Sequence, residues 1–442
     1  MEQQRENKTE LFTVRAEVIL KKGEGRMIKS GGPWIFDNEI ASVRACGAAD
    51  GAIGREDNDP ATYSGSIVRV FDFDGYPMGY GFYNSASKIR VRMLCRYRKE
   101  PVDRAFLAQR VRDAWEYRRQ CVDTSSCRLI FGEADWLPGL VIDKYEDLLV
   151  VQSLARGIDR LKRVILTELL AVLKEDGILI RGIYERSDAP VRRKEGMPLF
   201  RGWLMYEGQW ADASKDGSKT FDCDPHVLIT ENGIRYRVDV AEGQKTGFFL
   251  DQKYNRLAMQ RFSSGKKVLD CFTHMGTFAL NAAYAGASSV LALDISEFAL
   301  AQARENARLN HLEDRVAFRQ ADVLEELPKL IAAGESYDVV ILDPPAFTKS
   351  RAATKAAVRG YRKINTDGMK LVRDGGILAT CSCSRFFTED LMKKTIAEAA
   401  RSAHKRLRQI EMRTQSPDHP ILWAADESYY LKFFIFQVCR ER

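Results

Sequence analysis

Four aspartates in the C-terminal half of the chain each follow a segment that we predict to be a β-strand: Asp270, Asp294, Asp322 and Asp343. In a fold of alternating strands and helices, the carboxyl ends of parallel strands meet at one edge of the sheet, where ligands bind. Carboxylates at that edge can accept hydrogen bonds from an ammonium group, ribose hydroxyls and an adenine amino group. One such acid alone would usually be a helix cap, but the four together predict a site for S-adenosylmethionine.

The loop after Asp270 favours a cationic ligand. It contains one glycine, Gly276, and lacks the Gly-x-Gly-x-x-Gly pattern that surrounds a pyrophosphate. We therefore expect Phe272 and Gly276 from this loop, and Val323 beside Asp322, to contact the cofactor together with the four acids.

The segment Asp343-Pro344-Pro345-Ala346-Phe347 predicts a catalytic loop. Its two prolines fix φ, so the loop can hold the Asp343 side chain toward the cleft. Phe347 could stack on a base that has left its helix. Because acid-Pro-Pro-aromatic loops are common in methylases of exocyclic amines, this loop leaves the target atom open.

Two cysteines follow the next predicted strand, in the segment Thr380-Cys381-Ser382-Cys383-Ser384. Carbon 5 of a pyrimidine is a poor nucleophile, but a thiolate that adds to carbon 6 converts the ring into a reactive enamine. A cysteine at a strand end in the ligand cleft suits that chemistry. The alternatives are two buried packing cysteines or a latent metal site. Beside the four acids, the pair favours methylation of a pyrimidine at carbon 5.

A basic segment, residues 349–373, separates Asp343 from these cysteines and contains one opposing acid, Asp367. A helix there would begin beside the cleft, where its side chains could contact the phosphates of RNA. The predicted RNA contacts from this region are Phe347, Lys349, Arg351, Lys355, Arg359 and Arg362.

The composition is that of an ordinary globular protein of two or three domains, with 442 residues and a net charge of +7. Nine cysteines are an odd number without Cys-x-x-Cys pairs, which argues against a disulfide framework and against a bound metal. The chain lacks a run of about 18 apolar residues and an apolar N-terminal leader, so we expect a cytoplasmic protein without membrane contact.

These patterns predict a multidomain α/β fold. Residues 1–96 contain short strand-like runs such as Val14–Leu20 with glycine turns, which are typical of a small β-barrel. Residues 97–225 mix helical and strand-like patterns, with a strand at Ile178–Tyr184, and predict an α+β domain. A polar stretch, Cys46–Gly65, divides the first of these domains.

Residues 226–442 predict the catalytic domain. They open at 226–260 with a hairpin about Asn232-Gly233. Strands and helices then alternate, with helices at Thr277–Tyr284 and Ser296–Asn310, as in a doubly wound parallel sheet of Rossmann-like type. Ser296 is the expected N-cap of the second helix.

Several motifs have counterparts in a known family: Val18–Gly23, Pro33–Phe36, Gly65–Val70, Gly79–Asn84, Arg128–Asp135, Leu137–Asp143, Lys245–Gln252 and Asn255-Arg256. Across nearly the whole chain they resemble the S-adenosylmethionine-dependent methyltransferases that form 5-methylcytosine in large-subunit (23S) ribosomal RNA. That family combines an N-terminal PUA domain, a small α+β middle domain and a Rossmann-like catalytic domain. The resemblance implies that the N-terminal domain binds structured RNA, with Lys22 and Lys29 as candidate contacts.

The resemblance also assigns roles near the cofactor and the thiols. The segment Lys245–Gln252 would lie against the cofactor, which adds Phe248, Asp251 and Gln252 to the expected contacts. The Ser-Cys-Ser triplet of close relatives maps the nucleophile onto Cys383. In cytosine-C5 methylases generally the nucleophile follows a threonine, which makes Cys381 the alternate.

In this scheme Asp343 would contact the cytosine edge and assist protonation at ring nitrogen 3. Two other functions stay open: methylation of an exocyclic amine of adenine or guanine, and an inert RNA-binding factor in ribosome assembly. The oligomeric state also stays open, with a homodimer as one option.

Overall fold

The computed structural model describes residues 10–46, 60–211, 221, 223–348 and 351–441. It divides into two compact units. The first unit comprises Met1–Val227, Val238–Phe248 and Pro417–Ser428, and the second comprises Leu228–Arg237, Phe249–Ser416 and Tyr429–Arg442. Most of the predicted dividing stretch, Cys46–Gly65, lies outside the described residues, and the domain boundaries at 96 and 225 stay a prediction.

The N-terminal part of the first unit is a six-stranded sheet in the order β2-β6-β5-β4-β1-β3. Its elements are β1 (Val14–Leu20), α1 (Arg26–Lys29), β2 (Trp34–Phe36), β3 (Ile40–Ala45), β4 (Ile67–Phe71), β5 (Pro77–Tyr83) and β6 (Ile89–Arg96). In β1 the buried side chains alternate with partly exposed ones, which is the two-residue period of a half-buried strand. The predicted strand Val14–Leu20 is therefore confirmed with its bounds.

A second six-stranded sheet, in the order β12-β11-β10-β9-β8-β7, completes the main body of the first unit. Its elements are α2 (Arg104–Cys121), β7 (Ser126–Phe131), β8 (Leu140–Tyr145), β9 (Leu148–Ser153), α3 (Arg156–Glu175), β10 (Gly182–Ser187), α4 (Val191–Lys194), β11 (Phe200–Tyr206) and β12 (Gln209–Trp210). Strand β10 begins four residues later than the predicted Ile178–Tyr184. The reason is that Gly177, at φ 75°, and Ile178 close helix α3, with the Ile178 N–H bonded to the Leu173 carbonyl.

A hairpin joins β13 (His226–Glu231) to β14 (Ile234–Asp239). Its turn residues Asn232 and Gly233 have φ values of 54° and 83°. Two positive φ angles in a two-residue loop match the right-handed twist of paired strands, so Asn-Gly is the favoured sequence there. The predicted hairpin is confirmed.

The second unit contains a seven-stranded sheet in the order β17-β16-β15-β18-β19-β21-β20. Its elements are α5 (Lys253–Gln260), β15 (Lys267–Cys271), α6 (Thr277–Tyr284), β16 (Ser289–Asp294), α7 (Glu297–Leu309), β17 (Val316–Gln320), α8 (Val323–Ala332), β18 (Tyr337–Leu342), α9 (Thr354–Leu371), β19 (Val372–Ser382), α10 (Glu389–Ser402), β20 (Lys405–Arg413) and β21 (Lys432–Arg440). Strands β15 to β19 are parallel, whereas β21 runs antiparallel to both β19 and β20. The predicted doubly wound sheet is confirmed.

The strand order reverses between β15 and β18, which are neighbours although β16 and β17 separate them in the sequence. Open α/β sheets bind ligands at the carboxyl ends of the strands at such a reversal. Helix α6 has its predicted bounds, Thr277–Tyr284, and Ser296 caps α7 by accepting a hydrogen bond from the Ala299 N–H at 3.2 Å.

Candidate active site

Asp270 lies at the end of β15 with a fully buried side chain. Its Oδ2 accepts hydrogen bonds from the Thr273 hydroxyl at 2.5 Å and the Ala279 N–H at 2.9 Å. Its Oδ1 is buried and has no hydrogen-bond partner among the described residues. Burial, together with the nearby Asp343 and Asp294 carboxylates, raises the pKa of Asp270 to about 7. An ionised Asp270 therefore needs a cationic donor at Oδ1.

The loop from β15 to α6 holds three residues in the left-handed region: Phe272 at φ 65°, His274 at 52° and Gly276 at 81°. Such angles in residues with side chains cost about 1 kcal/mol or more and concentrate at functional sites. The His274 N–H donates to Asp294 Oδ2 at 2.8 Å, so the loop ties the ends of β15 and β16 together. A Cβ atom on Gly276 would lie 3.1 Å from the Ala303 Cβ, which leaves little room for a larger residue.

Two of the other three strand-end acids, Asp294 and Asp322, already accept backbone hydrogen bonds. Asp294 Oδ1 accepts from the Ser296 N–H at 2.9 Å, in addition to the bond from the His274 loop. Asp322 is exposed and caps α8 by accepting from the Leu324 N–H at 2.8 Å, with buried Val323 beside it. Helix capping is therefore a sufficient local role for Asp322. A carboxylate oxygen has two lone pairs, so both acids can still accept from a ligand.

Asp343 shares a hydrogen-bonded group with Cys381 and Gln252. Its Oδ1 accepts from the Cys381 thiol at 2.7 Å and from the Gln252 amide at 3.2 Å. Burial raises the pKa of Asp343 to about 6, and the hydrogen bond from Cys381 opposes that rise. Burial and the Asp343 charge both raise the pKa of Cys381 well above its ordinary value. Cys381 is thus held as a neutral thiol with 0% exposure.

Cys383 follows the end of β19 and is partly exposed, in contrast to Cys381. Lys432, the first residue of β21, pairs with Ser382 across the sheet and is buried. Its ammonium group donates to the carbonyls of Ser384 at 2.6 Å and Tyr430 at 2.9 Å. Burial lowers the pKa of Lys432 to about 8, while charge on the cysteine thiols raises it. Lys432 was not predicted from the sequence, although a lysine directly before the apolar run Phe433–Phe436 was a signal.

The segment before α5 supplies two more of the predicted cofactor contacts. A 3-10 turn, Leu250–Gln252, carries both. Asp251 Oδ2 accepts from the Tyr430 hydroxyl at 2.7 Å, and Gln252 Oε1 accepts from the Asn255 amide at 2.7 Å. Gln252 therefore joins Asp343 to α5. Phe248 is buried and belongs to the first unit, whereas the other candidate cofactor residues belong to the second.

Phe347 is half-buried, and its ring packs 4.7 Å from the Tyr361 ring. A Cβ on Gly360 would lie 3.0 Å from this ring, so α9 covers part of it. Phe347 therefore has a packing role in the aromatic cluster of Phe272, Tyr361 and Phe387.

The predicted RNA contacts on α9 share one exposed face: Lys355, Arg359 and Arg362. Arg362 lies 3.8 Å from Glu398, whereas Lys355 and Arg359 form no ion pair with a described residue. Lys349 and the side chain of Arg351 fall outside the described part of the chain.

In the first unit, Lys29 forms an ion pair with Asp72 at 3.0 Å. Lys22 lies over the Phe73 ring at 5.9 Å. The candidate RNA contacts thus occur in both units.

The described ranges contain no group of three or more His, Cys, Asp or Glu side chains that could hold a metal ion. Among the same residues, no helix has the length and apolar character needed to span a membrane.

Comparisons with known proteins agree with this architecture. Residues 217–436 match the S-adenosylmethionine-dependent methyltransferase family, and residues 18–96 match a PUA-like domain. Ribosomal RNA large subunit methyltransferase I from Shewanella frigidimarina is 37% identical over 425 residues, which cover 95% of this chain and 99% of that protein. The protein of the same name from Shewanella denitrificans matches with the same identity and coverage.

A solved structure from Streptococcus mutans, described as a SAM-dependent methyltransferase, covers 96% of this chain and 100% of its own with a TM-score of 0.74. Its sequence identity of 18% makes it similar in fold alone. The matches to the relatives extend over nearly the whole chain, through both the PUA-like domain and the catalytic sheet. The chain therefore belongs to the PUA-domain-containing, S-adenosylmethionine-dependent methyltransferases of the family of ribosomal RNA large subunit methyltransferase I.

Proposed function

We propose that this protein methylates carbon 5 of a cytosine in large-subunit ribosomal RNA through a covalent adduct with Cys383. The observation that carries the proposal is the thiol pair at the end of β19, next to a strand-end carboxylate that can hold a proton and a buried ammonium group. The relatives' name supports ribosomal RNA as the substrate class. We place the reaction in the cytoplasm.

The cofactor supplies an electrophilic methyl group when it is bound. The orphaned Oδ1 of Asp270 fits the α-ammonium group, because a buried carboxylate oxygen without a donor favours a cation. Asp294 would accept from the ribose hydroxyls and Asp322 from the adenine amino group. The remaining proposed contacts are Phe272, Gly276, Val323, Phe248, Asp251, Gln252 and Asp343.

The Cys383 thiolate adds to carbon 6 of the cytosine, and the new carbon–sulfur bond places the displaced electron pair on the ring. Asp343, whose pKa is about 6, can donate a proton to ring nitrogen 3 as that charge develops. Carbon 5 thereby becomes nucleophilic. After its methylation, loss of the carbon-5 proton restores the double bond to carbon 6 and expels the thiolate.

Lys432 supports the choice of Cys383 over Cys381. Its ammonium group is fixed on the Ser384 carbonyl, one residue beyond Cys383, and a buried positive charge stabilises a neighbouring thiolate. Cys381 instead donates to the Asp343 carboxylate, which stabilises its protonated form. We therefore assign Cys381 to orienting Asp343 and Cys383 to bonding with the base.

RNA containing 5-fluorocytidine tests the assignment, since carbon 5 then carries no proton to lose and the adduct persists. We expect a gel-stable adduct with the wild type and with Cys381→Ala, and none with Cys383→Ala. Cys439→Ala, a partly exposed cysteine at the far end of β21, is the matched control. An adduct in Cys383→Ala but not in Cys381→Ala would identify Cys381 as the nucleophile.

Methylation without any adduct, with both single variants active, would instead support the exocyclic-amine reaction suggested by the Asp343-Pro344-Pro345 loop. Nucleoside analysis of the product RNA identifies that case directly. Absence of cofactor binding in calorimetry would support the inert assembly factor.

A further inference from the structure

Trp423 has an exposed fraction of 97%, the highest among the large apolar side chains in the described part of the chain. The next is Leu179 at 72%. Tryptophan is usually extensively buried, since its indole carries a large apolar area. Full exposure of this ring in a folded segment leaves its whole face open to a ligand.

The segment that carries Trp423 is held firmly within the first unit. Asp418 Oδ2 accepts from the Arg128 N–H at 2.8 Å, and the Asp418 carbonyl accepts from buried Arg118 at 2.9 Å. The Ser428 hydroxyl closes the loop by accepting from the Leu422 N–H at 2.8 Å. The exposed indole thus stands on a loop with fixed ends.

This loop lies against an arginine-rich part of the first unit. A Cβ on Gly31 would be 2.9 Å from the Ala424 Cβ and 3.6 Å from an Arg96 guanidinium nitrogen. Pro420 lines a cavity of about 280 Å³ together with Arg110 and Trp136. Pro420 and Ala424 therefore both lie beside the group of side chains that contains Arg96, Arg110 and Trp136.

The two arginines, Arg96 and Arg110, have aromatic neighbours and no ion pair with a described residue. The Arg96 guanidinium lies 5.9 Å from the Trp136 ring, and the Arg110 guanidinium lies 4.9 Å from the Phe106 ring and 5.9 Å from Trp136. Arg110 Nε is buried and lacks a hydrogen-bond partner among the described residues. Asp113, in the same cavity, accepts from Gln109 at 2.7 Å. Cations interleaved with aromatic rings are typical of surfaces that bind single-stranded nucleic acid.

We propose that Trp423, Arg96, Arg110 and Trp136 form a binding surface for a single-stranded segment of RNA, with an unpaired base stacked on Trp423. A flat, fully exposed indole can stack on a base, and guanidinium groups outside ion pairs attract phosphates. Arg96 keeps its charge available in this way, because its hydrogen bonds go to the neutral carbonyls of Ile28 and Lys29. The same cations would repel an identical surface on a second copy of the chain. This inference rests on the proposed RNA substrate and adds a contact outside the predicted RNA residues.

Anisotropy of a fluorescein-labelled single-stranded RNA of about 15 nucleotides, titrated with the full-length protein, tests the surface. We expect Trp423→Ala to weaken binding about tenfold and Trp423→Phe to retain most of it, because one stacked base accounts for a loss of that order. Leu179→Ala, the matched exposed apolar control, should bind like the wild type. Arg96→Gln and Arg110→Gln should each lower the slope of log Kd against log salt by about one.

Duplex RNA of the same length separates stacking from general charge attraction, and Trp423→Ala should bind it as the wild type does. Unchanged binding of single-stranded RNA by Trp423→Ala would overturn the inference. So would a dimer in sedimentation that Trp423→Ala converts to a monomer.

A Trp423 effect on RNA binding together with a product other than 5-methylcytosine would refute the proposed reaction and leave this surface standing. Wild-type RNA binding by Trp423→Ala together with a normal Cys383 adduct would refute this surface and leave the proposed reaction standing.

Discussion

The buried carboxyl of Asp270 predicts that cofactor affinity depends on pH. Its pKa of about 7 in the free protein means that half of the molecules carry a neutral Asp270 near neutrality. An ammonium ligand binds the ionised form, so the affinity rises to its maximum as the pH increases above 7 and is lost as the pH falls below 7. The α-ammonium group of the ligand loses its proton only above neutral pH, so it stays cationic between pH 7 and pH 5.5.

The size of the effect follows from the fraction ionised. Between pH 7 and pH 5.5, that fraction falls about fifteenfold for a group with a pKa of 7, so Kd should rise by about the same factor. Isothermal calorimetry with S-adenosylhomocysteine, which retains the ammonium group, measures this. Binding should also release protons in proportion to the fraction of Asp270 that is neutral before binding, which calorimetry in two buffers reports.

Two variants distinguish the effect of Asp270 ionisation on the pH dependence of binding from the effect of other titratable groups. Asp270→Asn retains an oxygen acceptor for the Thr273 and Ala279 donors, and it should bind weakly with a nearly flat pH profile. Asp322→Asn should bind more weakly than the wild type but keep the steep profile. A wild-type Kd that is constant from pH 7 to 5.5, or an equally steep profile in Asp270→Asn, would refute the electrostatic role of this carboxyl.

Three further outcomes follow from particular contacts. Lys432→Met should slow adduct formation with 5-fluorocytidine RNA and move its pH midpoint upward, because the thiolate loses a neighbouring cation; an unchanged midpoint would contradict this. Gly276→Ala should destabilise the protein by about 1–3 kcal/mol in urea unfolding, since φ is 81° and the new Cβ would lie 3.1 Å from Ala303. Arg256→Met should cost about 3–5 kcal/mol, because it leaves Glu231 buried without the partner now at 2.6 Å. Adding Glu231→Leu should restore part of that stability, and no recovery would count against the paired-charge explanation.

Local signals explain why much of the fold was predictable. Short-range apolar periodicity determines strand Val14–Leu20 and helix Thr277–Tyr284. The turn at Asn232-Gly233 needs two positive φ angles, and these two residue types tolerate them. Asp270, Asp294 and Asp343 were visible for the same reason, since each directly follows an apolar run. These features need no knowledge of which segments meet in space.

Features that depend on distant segments were not predictable in this way. Lys432 reaches Ser384 because β21 returns antiparallel to β19, 48 residues later in the sequence. The difference in burial between Cys381 and Cys383 likewise depends on the packing of Gln252 and Asp343. The position of residues 417–428 in the first unit results from hydrogen bonds that span about 300 residues, such as the one from Arg118 to Asp418.

Charge along the sheet edge differs between the proposed cofactor contacts and the proposed nucleophile. Asp270 and Asp343 end neighbouring strands, and the charge of Asp343 raises the pKa of Asp270, so this part of the edge favours a bound cation. The same negative charge opposes ionisation of Cys381, which is in hydrogen-bond contact with Asp343. One strand further, β21 places the Lys432 ammonium beside the residues that follow β19, where it favours an anion. The edge is therefore negative at the proposed cofactor contacts and positive beside Cys383, the proposed nucleophile. A thiolate at Cys381 would lie next to the negative charge of Asp343, which opposes its ionisation.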